Sequence, residues 1–192
     1  MKTKAIISSV GVLACLLAIT SGTAFGQATD GQSVFHFGGG YAKAIVDDAG
    51  GGMVGARIFA GKMLTNNLCL GITAGYDVVS YKKVGDMHER LAIIPFQANA
   101  TFFMNIGTMM QLYASLGGGA YRTLPHLGGR AVGNIDKAVT MPGGSIAIGF
   151  DYWFLLTTGI GFTFEYHMFA TPDGGDMFKY FVARVDYCLI KF

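Results

Sequence analysis

Charge is scarce in this sequence. Only 14% of its 192 residues are Asp, Glu, Lys or Arg, while 52% are hydrophobic. Average soluble chains carry about 25% charged residues, so the composition is wrong for an ordinary soluble domain. Long apolar runs are missing as well. Beyond the first 26 residues no uninterrupted apolar stretch reaches the roughly 18 residues of a spanning helix, which excludes helical membrane spans. Basic clusters are lacking and the net charge is only +2, so no nucleic-acid partner is expected. Cysteine occurs three times, at Cys15, Cys69 and Cys188, too rarely for a disulfide-dense scaffold.

Motifs for cofactors and metals are missing too. His36, His88, His126 and His167 sit on separate segments without ligand spacing, so no metal site is read. Residues 56–62 lack the first glycine of a phosphate loop and are followed by Met63. The Gly triplets at 38–40, 50–52 and 117–119 lack the strand–turn–helix context of a dinucleotide site. No cofactor is expected. A glycosylation sequon at residues 99–101 falls in the middle of a strand-like segment.

What the chain does have begins with an export pattern. Lys2 and Lys4 precede an apolar stretch over 5–19, and Ala24 and Gly26 supply small residues for a peptidase. Residues 1–26 therefore read as a cleavable signal peptide and 27–192 as one domain. A membrane anchor would need a longer stretch and a basic stop signal. A lipoprotein signal would end its apolar core at Cys15, whereas LLAI continues it.

Eight segments alternate with a period of two, the mark of strands: 33–45, 53–63, 68–81, 91–104, 109–123, 143–154, 158–170 and 180–192. Globular strands average five or six residues, and a strand tilted through a bilayer needs about 9–11. Connections alternate strictly. LTNN, NIGT and LLT are short; VDDAGGG, KKVGDMHER, the segment over 124–142 and TPDGGDMFK are longer. Short turns at one end and longer loops at the other are what outer-membrane barrels show.

The two faces differ in chemistry. One carries Phe37, Tyr41, Val54, Ile58, Ile72, Phe96, Phe102, Leu116, Ile148, Phe164 and Val185. The other carries His36, Arg57, Asp77, Gln97, Asn99, Asp151, Glu165, Arg184 and Asp186, among many glycines. A soluble barrel's exterior would be rich in Lys and Glu, so the polar face reads as an enclosed lumen. The expected fold is an all-β, eight-stranded antiparallel up-and-down transmembrane β-barrel.

At this point the chain resembles the small eight-stranded outer-membrane β-barrel family, the OmpA/OmpX-type and "porin family" barrels of Gram-negative bacteria. The resemblance rests on strand count, loop alternation, segments such as IIPFQANATFFMN and LYASLGGGAYR, and the terminal Phe192. It implies an outer-membrane location with both termini periplasmic, contact with lipid and lipopolysaccharide, and recognition of the last strand by the barrel-insertion machinery. The register of that strand is broken by Arg184 and Asp186. It would turn Phe192 inward unless a bulge or a frayed end occurs near Ile190.

Eight strands leave room only for side chains, so the expectation is a monomeric, non-enzymatic barrel plugged by a packed polar core and serving envelope integrity or surface interaction. Neighbouring strands suggest two ion pairs, Arg57 with Asp77 and Glu165 with Arg184. Asp151 has no obvious basic neighbour. Cys69 and Cys188 lie three strands apart, roughly 15 Å by strand spacing, and should remain thiols. Lys43, Lys82, Lys83, Arg90, Arg122, His126 and Arg130 are the candidate outer-rim and loop contacts. Two other functions each carry a requirement of their own. A lipid A-modifying enzyme would need a rim triad drawn from Asp77, Ser80, His126 and His167. A soluble lipocalin-like binder would need the Ile/Phe face inside.

Overall fold

The computed structural model describes residues 28–46, 49–84, 87–125, 138–172 and 175–191. Eight antiparallel strands form the wall: β1 (Ser33–Ala44), β2 (Met53–Met63), β3 (Leu68–Val84), β4 (Met87–Ile106), β5 (Met110–Pro125), β6 (Val139–Trp153), β7 (Thr158–Phe169) and β8 (Phe178–Lys191). Each pairs with its neighbour in sequence, and β1 pairs with β8, so the sheet is a closed barrel. The closing ladder runs from Ser33 opposite Lys191 to Ala44 opposite Tyr180. Closure leaves no edge strand with unpaired backbone groups.

The tight turns are built from local chemistry. Between β2 and β3 the Thr65 hydroxyl accepts from the backbone N–H groups of Asn67 (3.2 Å) and Leu68 (3.1 Å), a self-contained hydroxyl turn. Between β4 and β5 Gly107 adopts φ of 67°, a left-handed conformation open chiefly to glycine. These turns, with residues 154–157, define the short-turn end of the barrel.

Two connections differ most from the sequence reading. The expected nine-residue loop KKVGDMHER is mostly strand, because β3 runs to Val84 and β4 starts at Met87. Lys82 stands opposite Glu89 and Lys83 opposite His88, past a register shift between Ser80 and Lys82. Gly-Asp between two strand-like segments is a hairpin signal in the sequence. The segment over 124–142 likewise shrinks, since Leu124 and Pro125 extend β5 and β6 begins at Val139. Residues 126–137, with His126 and Arg130, lie outside the described residues, as does Phe192.

The wall sorts side chains by parity. Val54 (72% exposed), Leu116, Ile148, Ile58 and Phe164 point outward around the ring, while Ser145, Ala147, Asp151 and Trp153 of β6 are buried. Outward tyrosines stand within this apolar surface, Tyr41 opposite Val54 and Tyr187 opposite Phe37. An outward apolar band around a closed sheet is the surface of a membrane barrel. A lipocalin-like arrangement would need the reverse polarity.

The interior is not uniformly polar, which corrects the expected polar core. At the long-loop end Val79, Leu91, Ile93, Tyr121, Phe169 and Tyr180 form a buried apolar cluster. At the short-turn end Val34, Phe59, Met63, Phe103, Trp153 and Ile190 form another. The second cluster also explains the last strand. No bulge occurs near Ile190; β8 keeps its register to Lys191, and Ile190 turns inward into apolar surroundings.

Barrel closure is sensitive to bulk at one seam. A Cβ on Gly40 would collide with the backbone carbonyl of Ala183 on β8, whereas one on Gly118 would meet nothing within 4 Å. Gly40→Val is expected to lower stability by about 1–3 kcal/mol or more, read as a lower urea midpoint and a weaker heat-modifiable gel band. Gly118→Val should change the midpoint by less than about 0.5 kcal/mol equivalent.

Candidate functional site

Between the two apolar clusters lies a buried polar belt, and two arginines organise it. Arg57 on β2 donates to Asp77 Oδ2 on β3 at 2.9 Å and also contacts Glu165 on β7. Arg184 on β8 donates from Nη1 to Glu165 Oε2 at 2.9 Å and from Nε to Asp186 Oδ1 at 2.6 Å. Glu165 therefore bridges both guanidinium groups across the lumen. The pairs sought on neighbouring strands are one connected network.

Neutral groups complete this belt. Tyr180 donates its hydroxyl to Asp77 Oδ2 (3.0 Å) and Thr163 to Asp186 Oδ2 (2.6 Å), while Tyr113 bonds Thr163. His167 touches Arg57 (3.1 Å) and Glu165 (3.2 Å) through Nε2 and the Tyr121 hydroxyl (2.9 Å) through Nδ1. Gln97 donates to Tyr121 at 2.6 Å and exchanges bonds with Ser145. Half-buried Asn99 accepts from Thr73 at 2.7 Å. A cavity of about 30 Å³ beside Thr73, Asn99, Ser115 and Arg184 has space for a water molecule or two.

The fourth carboxylate stands apart from this network. Asp151 on β6, fully buried, faces His36 Nε2 of β1 at 3.4 Å and accepts from the Cys188 thiol of β8 at 3.4 Å. The sequence reading gave Asp151 no basic neighbour; the structure gives it a histidine from three strands around the ring. Cys69 and Cys188 are both free thiols.

The residues weighed as a rim triad do not meet at the rim. Asp77 and His167 are buried in the lumen and bonded to Arg57, and Ser80 Oγ is buried with no hydrogen-bond partner among the described residues. Of the rim cations, Arg90 and Arg122 are exposed and Lys43 is half-buried on the outward register opposite Phe181. Lys179, which sequence reasoning missed, is exposed on β8 opposite Met168. Its outward parity, shared with Phe181, was the available signal. A groove of about 440 Å³ on the outer wall, lined by Phe102, Met104, Ala114, Ile148 and Phe164, is apolar and belongs to the belt.

Removing one arginine should expose how tightly the network is balanced. Arg57→Met leaves Asp77 without an ionic partner and is expected to cost about 3–5 kcal/mol, measured by urea unfolding in detergent. Adding Asp77→Asn should recover part of that loss, because Glu165 keeps Arg184.

No family model and no curated protein matches the chain. Solved structures do. Neisserial surface protein A (NspA) is 17% identical with a TM-score of 0.59, covering 84% of this chain and 98% of that one. The outer membrane protein OprG of Pseudomonas aeruginosa is 15% identical with a TM-score of 0.56, covering 86% and 99%. Ail, the attachment invasion locus protein of Yersinia pestis, solved with the heparin analogue sucrose octasulfate, is 13% identical with a TM-score of 0.50, covering 85% and 100%. The chain has the fold of these small eight-stranded outer-membrane β-barrels.

Proposed function

We propose that this protein is a monomeric, non-enzymatic integral barrel of a Gram-negative outer membrane, serving envelope integrity or surface interaction through its long-loop end. The observation that carries the reading is the continuous outward apolar belt on a closed wall, with Arg57, Asp77, Glu165 and Arg184 shut inside. Such a surface is stable only against hydrocarbon. Residues 1–26 are the export signal, removed on translocation, and the short-turn end with both termini faces the periplasm. The last strand is what the insertion machinery reads. The buried clusters at either end of the polar belt support a plugged lumen.

Surface contact is assigned to the long-loop end. Lys43, Arg90, Arg122 and Lys179 ring that end, with Lys82 and Lys83 on the β3/β4 hairpin and His126 and Arg130 in the sequence between β5 and β6. Cations there suit lipopolysaccharide phosphates or sulfated saccharides. The complex of Ail with a heparin analogue, on the same fold, favours anionic saccharide as the ligand class.

Fractionation tests the main reading. The protein should sediment with the outer membrane, require detergent for release and shift on gels when boiled; release with the soluble periplasm would overturn it. In planar bilayers the wild type should pass no steady ion current, and a stable current would refute the plug. Arg90→Gln with Arg122→Gln should weaken binding to lipopolysaccharide micelles on the order of tenfold, with the gel shift unchanged.

A further inference from the structure

We propose that His36, Asp151 and Cys188 form a buried site for a borderline divalent metal of the zinc class, near the short-turn end of the lumen. Their ligand atoms lie within 4.8 Å of one another, and all three residues are buried. They come from β1, β6 and β8 and offer an imidazole nitrogen, a carboxylate and a sulfur. That is the mixed donor set that zinc takes.

The spacing fits a coordination sphere. With zinc–nitrogen and zinc–oxygen bonds near 2.0 Å and zinc–sulfur near 2.3 Å, tetrahedral edges are about 3.3–3.5 Å. His36 Nε2 lies 3.4 Å from Asp151 Oδ2, and Cys188 Sγ lies 3.4 Å from Asp151 Oδ1. The carboxylate thus faces the imidazole through one oxygen and the thiol through the other, and one donor atom from each residue keeps every pair within 4.8 Å.

A second observation points to a ligand. His36 Nε2 and Asp151 Oδ2 are buried and make no hydrogen bond among the described residues, although they face each other. Two buried, unsatisfied polar atoms are costly unless something binds them. A metal would satisfy both. Gly161 of β7 makes room for two of the donors: a Cβ there would lie 2.5 Å from Asp151 Oδ1 and 3.0 Å from Cys188 Sγ.

Charge supports the assignment. Arg57 and Arg184 are already shared among Asp77, Glu165 and Asp186, so among the described residues no arginine pairs with Asp151. On binding, the Cys188 thiol loses its proton to solvent, and the carboxylate, thiolate and neutral imidazole together neutralise a divalent cation. A neutral centre is the form that a buried, low-dielectric site tolerates. Because the site is enclosed, the ion has to enter while the barrel folds. The inference needs only the lumen geometry and does not depend on the surface-binding proposal.

The test is to refold the full chain in detergent with Co²⁺ as a spectroscopic stand-in, remove free ion, and record absorbance and metal content. About one ion per chain and a thiolate-to-cobalt charge-transfer band in the near ultraviolet are expected. Cys69→Ser should keep both, Cys188→Ser should lose the band, and His36→Phe should retain metal on the order of tenfold less well or worse. A wild type that shows the heat-dependent gel shift but no such band overturns the proposal, as does a band lost in Cys69→Ser and kept in Cys188→Ser. If the site variants fail to fold, wild type and Cys69→Ser decide: the band in both supports the site, and its absence from the wild type refutes it.

Discussion

Backbone hydrogen bonding within the wall is the constraint on which the rest of this molecule depends. A sheet facing hydrocarbon has no water to satisfy its edge, and each orphaned N–H or C=O costs several kcal/mol by order of magnitude. The β1/β8 ladder, continuous from Ser33 opposite Lys191 to Ala44 opposite Tyr180, removes that edge. Closure in turn creates a strict inside and outside. With a period of two, every strand then commits alternate residues to lipid and to a lumen only wide enough for side chains.

That narrow lumen governs how charge is handled. In water, two arginines and four carboxylates would be unremarkable; enclosed, each needs a partner with good geometry. The solution is sharing. Glu165 joins Arg57 to Arg184, and the hydroxyls of Tyr180 and Thr163 donate to Asp77 and Asp186, so the carboxylates are not left to the arginines alone. Placing apolar clusters above and below concentrates this network in a thin layer, where low dielectric strengthens each bond. Asp151 falls outside that layer's reach and turns to His36 and Cys188 instead.

How much of this was legible in the sequence follows from what periodicity encodes. Parity fixes the face, so Arg57, Asp77, Gln97, Asp151 and Glu165 could be placed inside from alternation alone. Adjacent strands also fix near neighbours, which is why Arg57 with Asp77 and Glu165 with Arg184 were accessible. Contacts across the lumen were not. Arg57 to Glu165 joins β2 to β7 and His36 to Asp151 joins β1 to β6; both depend on the stagger of the whole ring, which no single hairpin reveals. The metal-ligating potential of His36 was hidden for the same reason, since its partners lie over a hundred positions away in the chain. The bulge expected near Ile190 followed from wanting Phe192 outward; the short-turn end of the lumen is apolar, and β8 runs to Lys191 in unbroken register with β1.

The same geometry accounts for the two anomalies of composition, few charges and 29 glycines. Charge is scarce because one face meets lipid and the other has room for only a small satisfied network. Glycine is abundant because an eight-stranded lumen cannot hold a large side chain at every inward position. Added Cβ atoms on Gly55, Gly149 and Gly161 would each come within about 2.5 Å of Asp77, Tyr113 and Asp151 respectively. Each of these glycines is the hole into which a neighbouring strand's functional side chain fits. Bulk on one strand and its absence on the next are one packing decision. A substitution at such a glycine would therefore act first on the partner across the ladder, displacing Asp77 from Arg57 or Asp151 from His36 before it perturbed the strand that carries it.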